Sequence, residues 1–240
     1  INNKIDYLKI IDINGIIVQE EYDVNKIMIF DNLSRGILSN LDNALNDHRL
    51  KLFETNADLF SESEVNQATK QIDLVFHLGS VSLPFSQNNP RTAVNTNIMG
   101  TYNLLEACVS NNVKRVIFAS SSSIYGNAEY KPMDEKHPFN FKDIYAATKL
   151  SGESLFRAFY FKYGLEYLAL RFTNVYGPRL DYKGAYVAVI IKIIDRLENN
   201  LPPIIYGDGN QSFDFIYVKD VCESLALAMD SSMVDTAYNI

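Results

Sequence analysis

The chain has 240 residues, of which 47% are hydrophobic and 21% are charged, as is ordinary for a folded globular protein. The formal net charge of −7 argues against a nucleic-acid partner, because binding to nucleic-acid phosphates requires a basic surface. No apolar run approaches the ~18 residues of a membrane span, and the two cysteines and three histidines show no metal-ligand spacing. We therefore expect a cytoplasmic protein with no nucleic-acid, membrane or metal partner.

Residues 1–176 alternate between short apolar runs and longer amphipathic ones. The runs typical of buried strands are Ile27–Asp31, Leu50–Glu54, Ile72–Gly79, Arg115–Ser120 and Leu165–Phe172, and Tyr7–Ile11 is a candidate first strand. Apolar residues at helical spacing predict helices over Asn95–Asn111 and Asp143–Tyr163. This alternation predicts an α/β domain with a doubly wound parallel sheet.

The pattern changes after Gly177. Residues 177–213 read as a small substrate-binding region, with a loop followed by a helix from about Tyr186 to Asn199. Residues 214–240 read as a return segment, with a short strand and a helix over Asp214–Met229 and a second strand beginning at Ala237. A chain that ends as a strand begins is expected to be cut short, so the substrate-binding region is predicted to be incomplete.

Tyr145 and Lys149 form the clearest chemical pattern. In a helix, positions i and i+4 share a face, which places the lysine ammonium near the phenol. A free tyrosine has a pKa of about 10, so a neighbouring cation is needed before it can act as a base near neutral pH. Taken alone, the Tyr-x-x-x-Lys spacing is weak evidence, because any exposed Tyr–Lys pair on a helix matches it.

A serine cluster, Ser120–Ser123, follows the predicted strand over Arg115–Ser120. Ligands of open parallel sheets bind beyond the carboxyl ends of the strands. The cluster is therefore placed to offer hydroxyl groups to a substrate, although a serine-rich turn would match the same pattern.

Several motifs occur together in the order seen in extended short-chain dehydrogenases/reductases. They are Asp31-Asn-Leu-Ser, Asn97-Ile-Met-Gly-Thr, the serine cluster, Tyr145-x-x-x-Lys and Arg171-Phe-Thr-Asn-Val-Tyr-Gly-Pro-Arg. Over about Ile27 to Ile240, the chain most resembles the UDP-glucose and UDP-N-acetylglucosamine 4-epimerases of that family. The resemblance implies a Rossmann-like fold, NAD as cofactor and a nucleotide sugar as substrate.

The resemblance also implies roles for individual residues. Asp31 corresponds to the acid that holds the adenosine ribose, and its charge favours NAD over NADP. Tyr145 corresponds to the catalytic base, Lys149 to the residue that binds the nicotinamide ribose, and Ser121 to the catalytic serine. The other implied cofactor contacts are Asn32, Ser34, Asn56, Leu78, Gly79, Ser80, Asn97 and Ser120.

Further residues correspond to the family's substrate contacts. They are Ser82, Ser122, Ser123, Asn174, Arg179, Ala185 and Val187. The implied reaction is reversible oxidation, in which Tyr145 takes the proton of the sugar 4-hydroxyl and hydride passes from C4 to NAD⁺. The 4-keto sugar then turns in the pocket, and hydride returns to its other face.

Related dehydratases carry Thr-Asp-Glu at the positions of Ser121, Ser122 and Ser123, and elimination of water needs those two acids. An epimerase is therefore favoured over a dehydratase, while a sugar-nucleotide dehydratase or reductase is kept as an alternative. The helices near 92–111 and 143–163 resemble those that pair in the family's dimers, which predicts a homodimer.

Two departures from the family pattern support a different hypothesis. The family's G-x-x-G-x-x-G loop holds the pyrophosphate, but Gly15 is the only glycine before Gly36. Phe213 stands where the family has an arginine for the substrate diphosphate. The chain could therefore be a degenerate, non-catalytic member of the family.

Overall fold

The computed structural model describes residues 5–11, 24–42, 44–53, 56–180 and 189–240. Its strands are β1 (Ile5–Ile11), β2 (Val24–Ile29), β3 (Leu50–Leu52), β4 (Leu74–His77), β5 (Arg115–Ser121), β6 (Glu166–Phe172), β7 (Asn174–Tyr176), β8 (Phe215–Tyr217) and β9 (Thr236–Asn239). Seven of them form one parallel sheet in the order β3-β2-β1-β4-β5-β6-β9. This is a Rossmann-like fold, because the strand order reverses between β1 and β4.

Helices cover both faces of the sheet. The helices of the described residues are α1 (Glu62–Thr69), α2 (Leu83–Asn88), α3 (Pro90–Ala93), α4 (Gly100–Ser110), α5 (Ile144–Tyr163), α6 (Val189–Glu198) and α7 (Val218–Asp230), and α6 buries none of its residues. A π-helical turn over Val94–Met99 joins α3 to α4. Within the described ranges, no helix is both long enough and apolar enough to cross a membrane.

The core has two halves, one on each face of the sheet. Val116 and Phe118 of β5 pack with α1, α4 and α5 on one face, whereas Ile117 packs on the other face in the half to which α7 contributes Ala228 and Met229. Successive strand residues point to opposite faces, so a strand covered on both sides is apolar at every position. This explains the continuous apolar runs in the sequence.

The predicted parallel α/β fold is confirmed, as are the expected strands and helices within the described residues. The candidate first strand is present as β1 and lies between β2 and β4. The segment that would have to contain a glycine loop, residues 12–23, lies outside the described residues. A feature that the sequence did not predict is a separate two-stranded parallel sheet formed by β7 and β8.

Helix α5 approaches the sheet closely. A Cβ added to Gly152 would lie 2.6 Å from the Phe118 ring, so only glycine allows this separation of α5 from β5. The helix begins at an Asp143 cap, whose carboxylate accepts a hydrogen bond from the Ala146 N–H at 2.8 Å. Both features fix where the Tyr145–Lys149 face of α5 meets the sheet.

Candidate active site

A cleft of about 370 Å³ opens beyond the carboxyl ends of β2 and β4, on either side of the strand-order reversal. It brings together six of the predicted site residues. These are Asp31, Asn32, Ser34, Gly79, Ser80 and Ser82. Five of them were expected to bind the cofactor, and Ser82 was expected to bind the substrate.

The loop after β2 is shaped by its own side chains. The Asp31 carboxylate accepts a hydrogen bond from the Leu33 N–H at 2.6 Å, and the Asn32 side chain accepts one from the Ser34 N–H at 3.1 Å. Leu33 has a φ of 55°, so these two bonds hold a tight turn. The turn keeps the acid of Asp31 at the wall of the cleft.

The loop after β4 is held by Asn97, which is buried in the π-helical turn. Its side-chain oxygen accepts a hydrogen bond from the Val81 N–H at 2.8 Å, and its amide donates to Thr148 of α5 at 2.9 Å. Asn97 was expected to contact the cofactor. The structure shows that it positions the loop that lines the cleft.

Lys149 lies at the end of the cleft nearest to α5. Its ammonium donates to the Ser80 hydroxyl at 3.1 Å and to the Ala119 carbonyl at 2.8 Å, and it lies 5.6 Å from the centre of the Tyr145 ring. Ser121 is close enough to Tyr145 for its hydroxyl to lower the pKa of the phenol. The three residues that the sequence assigned to catalysis are therefore neighbours.

Burial raises the pKa of the Tyr145 phenol to about 12. The Ser121 hydrogen bond and the charge of Arg35 lower this pKa, whereas the charge of Asp143 raises it. The sequence predicted a net effect in the opposite direction, with Lys149 favouring the ionised phenol. The difference arises because the free-energy cost of removing a phenolate from water is larger than the stabilisation that these contacts give it.

Three expected cofactor contacts are placed differently by the structure. Asn56 is exposed and does not line the cleft, whereas Asp58, two residues further on, does. Leu78 packs against the core. Ser120 is buried, and its hydroxyl donates to Glu153 at 2.5 Å. The sequence misplaced these residues because it does not show which side chains turn inward at a strand end.

The serine cluster continues from β5 into a single 3-10 turn over Ser122–Tyr125. Ser121 caps this turn by accepting a hydrogen bond from the Ser123 N–H at 3.2 Å. The hydroxyls of Ser123 and Thr173 are buried and have no hydrogen-bond partner within the part of the chain that the structure describes. Because Thr173 directly follows β6, the strand beside β5, both hydroxyls lie at the carboxyl edge of the sheet.

The remaining expected substrate contacts are less well placed. The Asn174 amide donates to the Asp214 carbonyl at 2.9 Å, which ties β7 to the segment before β8. Arg179 is exposed, and its guanidinium donates to the Asn40 carbonyl at 2.8 Å. Ala185 and Val187 lie outside the described residues.

Phe213 is an exposed aromatic residue beside Phe215, with ring centres 6.1 Å apart. It has no group that could pair with a diphosphate. Position 213 therefore does not supply the positive charge with which the family's arginine binds the substrate diphosphate.

Sequence reasoning missed several residues of the site. The cleft is also lined by Phe30, Arg35, Ala57, Asp58, Leu59, Thr92 and Thr96. Sequence reasoning also missed Glu153, although Glu153 lies four residues after Lys149 on α5 and this spacing was an available signal. Among the described residues, no group of His, Cys, Asp and Glu side chains could hold a metal ion.

Comparison with known proteins identifies the family of the chain. The model of the NAD dependent epimerase/dehydratase family matches residues 23–240. A putative UDP-glucose 4-epimerase of Methanocaldococcus jannaschii is 35% identical over 217 residues, which are 89% of this chain and 68% of that relative. A dTDP-D-glucose 4,6-dehydratase of Dictyostelium discoideum is 28% identical over 94% of this chain and 54% of its own length.

Among solved structures, the UDP-N-acetylglucosamine 4-epimerase of Methanobrevibacter ruminantium, in complex with UDP-N-acetylmuramic acid, superimposes with a TM-score of 0.90. It is 38% identical, and the match covers 99% of this chain and 76% of that one. The family that the sequence predicted is confirmed, and so is NAD as the cofactor named in its description.

Proposed function

Because the chain belongs to the NAD dependent epimerase/dehydratase family, we propose that it is a nucleotide-sugar 4-epimerase acting on a UDP-hexose or a UDP-N-acetylhexosamine. The observation that carries the proposal is the arrangement of Ser121, Tyr145 and Lys149 beside the cleft. A phenol, a hydroxyl bonded to it and an ammonium 5.6 Å from its ring are the groups needed to move a proton at a sugar hydroxyl.

The cleft suits the adenosine half of NAD. Asp31 offers a carboxylate to the ribose hydroxyls, and Phe30, Ala57 and Leu59 offer apolar surface to a flat base. At the other end, Lys149 and Tyr145 would bind the nicotinamide ribose, with Lys149 bonded to the Ser80 hydroxyl of the cleft. When bound, NAD supplies the acceptor and donor of the hydride at C4 of the sugar.

The protein's own groups would handle the proton. Tyr145 takes the proton from the 4-hydroxyl as C4 is oxidised and returns it when C4 is reduced. Ser121 stabilises the phenolate through the hydrogen bond that lowers the pKa of Tyr145. Lys149 adds positive charge near the ring, and its bonds to Ser80 and Ala119 keep its ammonium in place.

The serine cluster favours epimerisation over dehydration. A dehydratase must remove a proton from C5 and protonate the leaving 6-hydroxyl, which requires an acid and a base. Ser122 and Ser123 supply hydroxyls only, and the buried, unpartnered Ser123 hydroxyl is suited to binding a sugar hydroxyl.

Analysis of the reaction products tests the proposal. The protein would be incubated with NAD and UDP-glucose, or with NAD and UDP-N-acetylglucosamine, and the products followed by proton NMR. We expect the 4-epimer of one substrate to appear with no change in total mass. A 4-keto-6-deoxy sugar in its place would show a dehydratase.

The second candidate is a non-catalytic member of the family. It is favoured by the single glycine before Gly36 and by the exposed Phe213. Calorimetry with NAD separates the two candidates, because micromolar binding is expected of an epimerase. Absence of NAD binding by the folded protein would support the non-catalytic alternative.

We also propose a homodimer formed through α4 and α5. The carboxyl end of α5 carries exposed apolar side chains, with Phe161 68% exposed and Tyr163 48% exposed. Light scattering should give twice the monomer mass, and Phe161→Arg should lower it. A monomer mass for the unmodified protein would contradict this proposal.

A further inference from the structure

Helix α5 is joined to the end of β5 at three points. Tyr145, Lys149 and Glu153 are spaced by four residues and lie on one face of the helix. Lys149 donates to the Ala119 carbonyl at 2.8 Å, Glu153 accepts from the Ser120 hydroxyl at 2.5 Å, and Tyr145 has Ser121 as the neighbour that lowers the pKa of its phenol. Three consecutive strand residues are thus held by one helix face.

Glu153 accepts the hydrogen bond of the Ser120 hydroxyl with a buried carboxylate group. Its carboxylate receives two hydrogen bonds from the Arg171 guanidinium, at 3.0 Å and 2.7 Å. The side chains of Arg171 and Glu153 are only 6% and 11% exposed. A buried carboxylate needs such a partner, since an unpaired charge in the interior is strongly unfavourable.

Arg171 is itself fixed by its surroundings. It lies on β6 directly beside Ser120 of β5, and its guanidinium donates to the Tyr125 hydroxyl at 2.7 Å. The guanidinium also stacks 5.3 Å from the Tyr125 ring centre and 5.2 Å from that of Phe139. The Arg171–Glu153 pair is therefore a rigid anchor. It holds Ser120, which directly follows Ala119, the residue that Lys149 contacts.

We propose that Glu153, held by Arg171, is a positioning residue that sets the position of the Tyr145 phenol relative to Ser121. Glu153 touches neither of them. It fixes the rotation and axial position of α5 relative to β5, and Ser121 directly follows the residue that Glu153 holds. The inference rests on the proposed function, because it concerns the same proton-transfer pair.

Weakening the anchor should reduce turnover. If α5 shifts relative to β5, the Ser121 bond lengthens, and the phenolate of Tyr145 loses a group that stabilises it. Tyr145 then becomes a base only at higher pH, so the acidic limb of the pH–activity profile moves towards alkaline pH. A change that affected only protein stability would leave that limb where it is.

The chain offers a matched control for this test. Arg115 and Glu166 form a second arginine–carboxylate pair, with contacts at 3.1 Å and 2.7 Å, at the opposite ends of β5 and β6. Glu153→Gln and Glu166→Gln make the same chemical change to the carboxylate partner of an arginine, at opposite ends of β5 and β6, although Glu153 lies on α5 and Glu166 on β6. Only the first lies beside the proposed catalytic residues.

We expect Glu153→Gln to lower kcat about tenfold, with little change in the KM of the nucleotide sugar. Its acidic limb should move up by about half a pH unit. Ser120→Ala, which leaves the Arg171–Glu153 pair in place, should shift the limb in the same direction by less. Glu166→Gln should leave kcat and the profile unchanged.

A folded Glu153→Gln protein with the kcat and pH profile of the unmodified protein would overturn the inference. So would equal effects of Glu153→Gln and Glu166→Gln. If the unmodified protein is inactive on every nucleotide sugar, the proposed function fails, and crystal structures then test positioning without turnover. The Ser121 Oγ–Tyr145 Oη separation should be longer in Glu153→Gln than in Glu166→Gln, and equal separations would reject the inference.

Discussion

The two ends of β5 and β6 carry the same kind of ion pair in different settings. At the carboxyl end, Arg171 and Glu153 are 6% and 11% exposed and bind Ser120 and Tyr125 as well as each other. At the amino end, Arg115 is 11% exposed, but its partner Glu166 is 46% exposed.

Their other contacts differ too. Arg115 donates to the Ala228 and Met229 carbonyls at 3.3 Å and 3.4 Å and also to the Ser231 carbonyl. These carbonyls belong to the last turn of α7 and the residue after it, where a cation is favourable. The pair at the amino end therefore secures a helix end, whereas the pair at the carboxyl end joins the proposed catalytic helix to the proposed catalytic strand.

The largest expected difference between the two ends is in catalysis. Tyr145→Phe should lower turnover by about 10²–10⁴-fold, because it removes the group that moves the proton. Tyr167→Phe removes a tyrosine hydroxyl at the amino end, where it donates to Asp235 at 2.9 Å, and should leave turnover unchanged. Both would be measured by NMR product analysis on folded protein. Full turnover in Tyr145→Phe would refute the proposed role of the phenol.

The next largest difference should appear in stability. Arg171→Met leaves the Glu153 carboxylate buried without its partner and should cost about 3–5 kcal/mol in the free energy of unfolding. Arg115→Met should cost less, about 1–2 kcal/mol, because Glu166 is 46% exposed and can be hydrated. Urea denaturation measures both values. Equal losses would show that burial does not distinguish the two pairs.

A smaller effect is expected from Asp143, whose charge raises the pKa of Tyr145. Asp143→Asn removes that charge and preserves the helix cap, since asparagine caps as well as aspartate. The base form of Tyr145 then exists at lower pH, so the acidic limb should move down by a few tenths of a pH unit. If the acidic limb moves down in Asp143→Asn and up in Glu153→Gln, the effect of a nearby charge is distinguished from the effect of helix position. An upward shift in Asp143→Asn would contradict the expected effect of the Asp143 charge on the pKa of Tyr145.

The smallest effect is expected at the surface of the amino end. Lys114 pairs with Asp73 at 2.7 Å, but its side chain is 71% exposed. Lys114→Met should change the free energy of unfolding by less than about 1 kcal/mol, because water already solvates the pair. Thermal unfolding measures this change. A loss as large as that of Arg171→Met would show that exposure does not set the strength of these pairs.

Most of the fold could be predicted from the sequence. The strands β4, β5 and β6 have apolar central residues and polar residues only towards their ends, and α5 has apolar residues at helical spacing. Such periodicity is a local property of the chain, so it can be read without knowing the partners. The strand β8 was predicted, but β7 and its pairing with β8 were missed, because a three-residue strand carries too little pattern.

The site was predicted unevenly for the same reason. Tyr145 and Lys149 are related by one helical turn, so their proximity follows from local geometry. Asp31 was placed correctly at the cleft, since it ends a recognisable strand. Asn56 and Ser120 were not placed correctly, because the direction of a side chain at a strand end depends on what packs against it.

The sequence by itself determined the order of strands and helices, the family and the spacing of the proposed catalytic residues. Only the tertiary structure decided that Arg171, 18 residues beyond Glu153, pairs with it, and that Asn97 reaches Thr148, 51 residues away. It also decided that burial raises the pKa of Tyr145. These contacts depend on the register of parallel strands and on the depth at which a helix packs, neither of which is encoded in neighbouring residues.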